Sequence, residues 1–295
     1  MLTLPAAKQN LEYNKNLGDL LEVLKAAAIF QFHVFQSMHK LNEDYLLRVE
    51  YCLEIIKHKH VRHPYLEERA NLGSLIAVIT SDEGFLGGLS STLINTALDM
   101  YKPSKDKILV LGRSGSKYLE DLGKPFLSLP GLRADLNYTQ LEGFRDYLFN
   151  NYTKNFGRII LIYPEFVSLN LQRIETMQLL PYRFPDLGKE MRVGTLMGAA
   201  SIYPFPDQQK ILERLVELDA TFKILKIAET SKLAESAAKI MHLEESTQQL
   251  DQIKQKESFD YFRLEHTLKD KSIREILASK MMMDKKNKEG TLVCS

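Results

Sequence analysis

Between Pro206 and Gly290 the chain carries neither glycine nor proline. Both residue types break helices, glycine through backbone entropy and proline through its missing N–H. A run that long, rich in Leu, Ile, Lys, Glu, Gln and Ala, predicts one or two long helices. At 1.5 Å per residue, eighty residues reach roughly 120 Å. A compact domain of this mass is narrower than that. Such a helix must lie against something outside its own globule, or against a second long helix.

The other end of the chain offers that second helix. From Gly18 to His60 there is no interior glycine or proline, and the polar stretch before it, with Pro5, leads into the run. Leu21, Leu24, Ala28, Phe35, Met38, Tyr45, Val49, Cys52 and Ile56 fall on one alternating three-four spacing, interrupted only by Gln31 and Asn42. That is the a/d pattern of a coiled coil, kept for about five heptads. Within it, Lys25-Ala26-Ala27-Ala28 supplies small residues that admit a close neighbour. Phe30, Phe32 and Phe35 follow, and in an isolated chain they predict an exposed apolar patch. The C-terminal run has a looser seam through Leu243, Leu250, Ile253, Tyr261, Leu264 and Leu268. Either run alone is compatible with an amphipathic helix on an ordinary core. Two of them, at opposite ends of one chain, favour a paired shaft.

The middle has a different texture. Leu75 to Thr80 is a short apolar β-rich run that enters Ser81-Asp82-Glu83-Gly84-Phe85-Leu86-Gly87-Gly88-Leu89, and a helical pattern continues to Met100. Strand, glycine turn and helix open a βαβ unit. A second cycle has Lys107–Leu111 as strand, Gly112 to Gly115 as turn and Ser116–Leu122 as helix. A helix from about Tyr138 to Phe156 feeds the strand Arg158–Tyr163, and further strands are expected near Glu175–Leu180 and Met191–Tyr203. The fold class is therefore α/β: a central Rossmann-like, mostly parallel domain with long helices before and after it. The expected boundaries are 1–62 for the N-terminal shaft helix, 63–205 for the α/β domain, and 206–295 for the C-terminal shaft helix with a basic tail.

With 295 residues and a net charge of +1, the chain can bury a real core and has no global field that favours nucleic acid. Two cysteines, Cys52 and Cys294, make no disulfide framework. No basic segment followed by an apolar run marks a signal peptide, and no apolar stretch approaches a membrane span. Membrane association is therefore expected only through a partner. His58, His60 and His63 could hold a metal, but Lys59 and Arg62 repel a cation, and a solvated helix end explains them better. Gly84, Gly87 and Gly88 match neither G-x-G-x-x-G nor a P-loop, and Gly112 and Gly115 read as ordinary turn glycines. No hydrolase triad or zinc spacing is visible, and the glycine turn is the one place where a nucleotide could bind, so no catalytic, cofactor-binding or metal-binding residue is assigned.

The most specific piece is His63-Pro64-Tyr65-Leu66-Glu67-Glu68-Arg69, then the strand, then Thr80-Ser81-Asp82-Glu83-Gly84-Phe85-Leu86-Gly87-Gly88-Leu89-Ser90. It resembles the gamma subunit of F-type ATP synthases, which carry Ser-Asp-x-Gly-x-x-Gly-Gly-Leu at this place. Val110 to Gly115, Ile162 to Ser168 and Leu179-Leu180-Pro181 resemble the family's later strands and turns. So does Ala234 to Lys239 with Thr247, Tyr261, Ile273, Glu275 and Ile276. The resemblance implies an antiparallel coiled coil of the terminal helices with the α/β domain at its side. It implies a central stalk turning inside alternating alpha and beta subunits, which hold the nucleotide chemistry. An epsilon subunit and a membrane c-ring would sit at the outer end, on the cytoplasmic face of a bacterial inner membrane. Lys25, Ala26, Ala27, Ala28, Glu83, Gly84, Gly87, Gly88, Lys239, Tyr261, Glu265, Ile273, Glu275 and Ile276 are then the candidate subunit-interface residues.

The departures lie on the same surfaces. Glu83 stands where the family commonly has Arg, Leu86 where it often has Cys, and Glu265-His266 where it has Arg-Gln, with Asp270 replacing a Thr. Inverted charge of this kind suggests a specialised second ATPase with its own partners. The competing reading is a stand-alone α/β nucleotide-binding or regulatory protein that has lost the rotor role.

Overall fold

The structure is a computed structural model that describes residues 3–38, 43–57, 62–69, 71–133, 137–184 and 208–291. Its elements are α1 (Leu4–Met38), α2 (Glu43–Lys57), β1 (Ser74–Ile79), α3 (Leu89–Met100), β2 (Lys107–Leu111), α4 (Arg113–Asp121), β3 (Leu127–Leu129), α5 (Tyr138–Lys154), β4 (Arg158–Ser168), β5 (Leu171–Leu180) and α6 (Gln208–Thr291). The strand expected at Met191–Tyr203 lies outside the described residues, as do His58, His60 and Asn42. The described residues form two compact units, one from Met1–Lys25 with Leu243–Ser295 and one from Ala26–His242.

The sheet has strand order β3-β2-β1-β4-β5. β1 pairs in parallel with β2 and β4, β2 in parallel with β3, and β4 antiparallel with β5. Mostly parallel pairing buries both faces, which is why the central strands read as unbroken apolar runs. Alternate residues separate cleanly. Leu75, Ala77, Ile79, Leu109, Leu111, Ile159 and Leu161 face one core with α5, α2 and α6. Ile76, Val78, Ile108, Val110, Ile160 and Ile162 face the other with α3 and α4. Each fully buried aliphatic side chain contributes about 1.5–3 kcal/mol.

α1 begins at Leu4, fourteen residues ahead of the glycine that the sequence pattern uses as its boundary. Pro5 is tolerated because the first turn has no N–H partner to lose. Gly18 is an interior residue of the helix, and a Cβ there would run into the Lys254 side chain. In this unit Asn14 Nδ2 donates to Glu257 (2.6 Å) and Lys25 Nζ meets Glu244 (2.5 Å). Rising numbers on α1 match falling numbers on α6, so the pair is antiparallel.

In the larger unit Phe32 and Phe35 pack on Leu233 and Ala237. The aromatic trio is therefore not an exposed patch: Phe32 and Phe35 are 7% and 4% exposed, and only Phe30 faces solvent, at 70%. The seam also stops short of α2. Cys52 is exposed while Leu53 is fully buried, because both lie on α2, whose buried face is set by the sheet core through Val49 and Leu53 and not by a seam with one partner helix. Ile253 and Leu268, placed in the C-terminal seam, are exposed as well.

α6 changes character along its length. Leu212, Val216, Ala220, Ile224 and Ala228 form one apolar stripe against the α5 side of the sheet. From Ile227 to Ala238 every residue is buried. Small side chains (Ala228, Ser231, Ala234, Ser236, Ala237) let neighbours approach from all sides. Lys232 and Glu235 satisfy each other across one turn at 2.9 Å, as a buried charge pair must.

Candidate functional site

The glycine turn follows β1, at the C-terminal edge of the sheet. β1 is where the strand order reverses, since β2 and β3 lie to one side and β4 to the other. Open α/β sheets bind their ligands at that crevice, with anions held by a helix N-terminus. Here the chain's own side chains occupy the positions. At the start of α4, Arg113 N–H donates to Asp82 Oδ1 (2.9 Å), Ser114 N–H to the Ser81 carbonyl (3.0 Å) and Gly115 N–H to Thr80 Oγ1 (3.2 Å). Thr80 Oγ1 in turn donates to the Leu111 carbonyl (2.7 Å). The carboxylate of Asp82 thus caps the start of α4, while α3, which follows the glycine turn directly, has no side-chain cap.

Gly112 and Gly115 are therefore not ordinary turn glycines. Gly112 has φ +103, and a Cβ on it would press into the Thr80 and Ser81 backbone. A Cβ on Gly115 would meet Thr80 Oγ1 at 2.6 Å. By contrast, a Cβ on Gly84 would meet nothing within 4 Å, and among Gly84, Gly87 and Gly88 only Gly87 has positive φ, at +58. Of the three that look like a ligand cradle, Gly84 leaves open space and Gly87 and Gly88 meet only ordinary contacts, whereas Gly112 and Gly115, which look incidental, hold the turns after β1 and β2 together.

The turn is fastened to α6. Glu83 reaches Lys239 at 2.6 Å. Leu86 is buried, while Phe85 sits at φ +62, half exposed, with its ring 6.4 Å from that of His242. Below the clasp is a cleft of about 160 Å³ whose walls include Phe35, Leu86, Arg133 and Lys232. Glu83 keeps 49% of its side chain exposed. Its coupling to Lys239 should therefore be about 0.2–1 kcal/mol. A double-mutant cycle of Glu83→Gln and Lys239→Met measures it, and the coupling should vanish in 1 M salt. A coupling above about 2 kcal/mol would contradict this exposure argument.

The other candidate residues divide between buried and open positions. Ala28 is fully buried, whereas Ala26 and Ala27 are exposed. Tyr261 is half-buried with its ring 5.6 Å from Phe262. Glu265 pairs with Lys269 at 2.8 Å, and Glu275 lies 4.0 Å from Lys271. Ile273 and Ile276 are 55% and 62% exposed. The sequence reading missed Thr80, Asp82 and Lys232. A Ser-Asp pair straight after a strand was the available signal for Asp82, since short polar side chains cap helix starts.

His63 does structural work. Its Nδ1 accepts the Tyr65 N–H at 3.3 Å and its ring packs on that of Tyr65. Burial pushes its pKa below the ordinary 6.5, against the pull of Glu213, Glu217 and Glu67. An unfolded chain therefore takes up the proton first as pH falls. The contribution to stability is complete above about pH 6.5 and declines below it. His63→Ala should flatten that part of the stability–pH curve. An unchanged slope would show that another group titrates there.

The family profile described as ATP synthase matches residues 3–279, and the chain belongs to that family. It is similar to the ATP synthase gamma chain of Cytophaga hutchinsonii, at 25% identity over 72% of this chain and 75% of the relative. It is also similar to that of Bdellovibrio bacteriovorus, at 24% identity over 90% of this chain and 93% of the relative. Among solved structures it is similar to a chain of the Euglena gracilis mitochondrial ATP synthase rotor, with a TM-score of 0.65, 13% identity, and 90% and 98% of the two chains covered. A chain in the Tetrahymena thermophila central stalk and c-ring structure gives a TM-score of 0.58 at 15% identity, over 77% of this chain and 99% of that one. The shared architecture is two long terminal helices and a central, mostly parallel sheet. No described helix is long and apolar enough to cross a membrane.

Proposed function

We propose that this chain is the gamma subunit, the rotating central stalk, of an F-type ATP synthase. Its partners are the alpha and beta subunits of the head, an epsilon subunit and the membrane c-ring. One observation carries the reading. The α1–α6 register places Leu4 opposite about residue 266 of α6, since both helices rise equally per residue. Beyond that point α6 has no α1 beside it, yet Ile273, Ile276, Leu277, Met281 and Met282 are 53–74% exposed. An apolar helix end of this kind needs a partner to cover it. A ring of subunits around the helix end meets that need.

Lys25, Ala26, Ala27, Glu83, Gly84, Gly87, Gly88, Lys239, Tyr261, Glu265, Ile273, Glu275 and Ile276 are the residues we assign to subunit contacts. Ala28 serves the chain's own packing. Within this reading, Glu83 is answered by Lys239 and Glu265 by Lys269. The inverted charges are balanced inside the chain, which weakens the case for a specialised ATPase with a separate partner set. The stand-alone nucleotide-binding alternative is disfavoured because the family profile and the gamma-chain relatives extend over both terminal helices as well as the α/β domain. Similarity to bacterial gamma chains supports a place on the cytoplasmic face of a bacterial inner membrane, held there by the c-ring. Native mass spectrometry of the tagged chain purified from its own cells tests the proposal. One copy with three alpha and three beta subunits is expected. A monomer or homodimer free of ATPase subunits would overturn it.

A further inference from the structure

The glycine turn is anchored at both ends and loose between them. At its start, Asp82 holds the Arg113 N–H of α4. At its end, the Gly88 carbonyl accepts from the Thr92 N–H (3.0 Å) and from the hydroxyls of Ser91 (2.8 Å) and Thr92 (2.9 Å). The span between these anchors, residues 83–87, stands off its surroundings. A Cβ on Gly84 would meet nothing within 4 Å, and one on Gly87 would reach His242 Nδ1 at 4.0 Å. Phe85 holds φ +62 with its ring half exposed. A bulky residue at positive φ is strained, and it persists there when its neighbours hold it in place. Leu86, which is buried, and the Glu83–Lys239 ion pair at 2.6 Å supply that hold.

Behind the span lies the cleft of about 160 Å³, with Glu83 and Leu86 in one wall and Lys232, Glu235 and Ser236 of α6 in another. The α6 wall is polar and dry. Lys232, Glu235 and Ser236 are all buried, Lys232 meets Glu235 at 2.9 Å, and Ser236 Oγ donates to the Lys232 carbonyl at 2.8 Å. Keeping an ion pair from water is costly, and its attraction repays that cost only in part. Two effects therefore press the span outward, the backbone strain at Phe85 and the hydration withheld from Lys232 and Glu235. Two hold it in, the burial of Leu86 and a half-exposed ion pair, which is a weak tie.

We propose that residues 83–87 form a strap that opens and closes over this cleft. Closed, Leu86 plugs the cleft and Glu83 clasps Lys239. Open, Phe85 leaves positive φ, the backbone at Gly84 and Gly87 takes up the change, and the α6 wall meets water. Asp82 and Gly88 stay fixed, so the movement is confined to the span between them, as in other hinged loops. Because the opposing effects are close in size, a small change at Glu83 shifts the population of the two states. The strap is a property of the single chain and does not rest on the rotor reading.

The test times the reaction of a thiol behind the strap with N-ethylmaleimide, in the full chain. Ser236→Cys is made together with Cys52→Ser and Cys294→Ser. Ser231→Cys in the same background is the control, since Ser231 is fully buried on α6 outside the cleft walls and reports any opening of that helix as a whole. The Ser236→Cys thiol should react about tenfold faster than the Ser231→Cys thiol, or more. Glu83→Gln should speed it up to about fivefold, and 1 M salt should do the same. Leu86→Ala should speed it about tenfold or more. Phe85→Asn should slow it about threefold, because asparagine tolerates positive φ and removes the strain that favours opening. A loop that is merely loose would not give that slowing. The Ser231→Cys rate should move less than about twofold in every case. A Ser236→Cys thiol that reacts no faster than the control would overturn the strap, and so would a rate unmoved by Glu83→Gln and Leu86→Ala.

Discussion

Replacing Gly112 by alanine is expected to cost about 3–5 kcal/mol, or to prevent the α/β unit from folding. Two effects act together. The residue holds φ +103 and ψ 148, a region that is essentially glycine's own and costs about 1–3 kcal/mol for other residues. The added Cβ would also press on the Thr80 carbonyl and sit 2.9 Å from the Ser81 carbonyl carbon. Neither can retreat, because Thr80 N–H is bonded to the Leu111 carbonyl at 2.8 Å and the Ser81 carbonyl accepts from Ser114 at 3.0 Å. Chemical denaturation of the full chain reads the loss as a lower midpoint. Gly84→Ala is the companion measurement. Its Cβ would meet nothing and its φ is not positive, so stability should stay within about 0.5 kcal/mol. Equal losses at both positions would refute the assignment of roles to the two turns.

Phe35→Ala should destabilise the larger unit by about 3–5 kcal/mol, as large-to-small changes in a closed core do. Phe35 is 4% exposed and shares a cluster with Phe32, Leu233 and Ala237, with Ile240 and Phe166 packed against it. This cluster fastens α1 to the segment of α6 that is buried all round. Hydrogen exchange should then show protection lost in 26–38 and 229–240, with β1 and β4 still protected. Phe30→Ala, at a side chain 70% exposed, should change stability by less than about 0.5 kcal/mol. Unchanged exchange in the Phe35 variant would mean the helices are held elsewhere.

Much of the architecture was legible in the residues. The absence of glycine and proline from Pro206 to Gly290 prescribes α6, because nothing in that run stops a helix. Apolar runs bounded by glycine turns prescribe β1, β2 and β4. Their unbroken hydrophobicity prescribes burial on both faces, hence parallel pairing with helices on each side. The start of α1 was not legible, since Gly18 looks like a boundary until Lys254 is seen beside it. The seam past Val49 was not legible either. A heptad count run on from α1 puts Cys52 in the seam, whereas α2 turns Val49 and Leu53 to the sheet core.

The candidate site divides along the same line. Local chemistry by itself determined that a glycine turn follows β1, that both ends of the chain are long helices, and that no known phosphate loop is present. Those conclusions depend only on neighbours in the chain. Tertiary structure alone decided which glycines are indispensable, which phenylalanines are covered and where the inverted charges go. Glu83 is 156 positions from Lys239, and Asp82 is 31 from the α4 N–H that it caps. Contacts at such separations depend on how the elements stack, and residue types at single positions do not encode that.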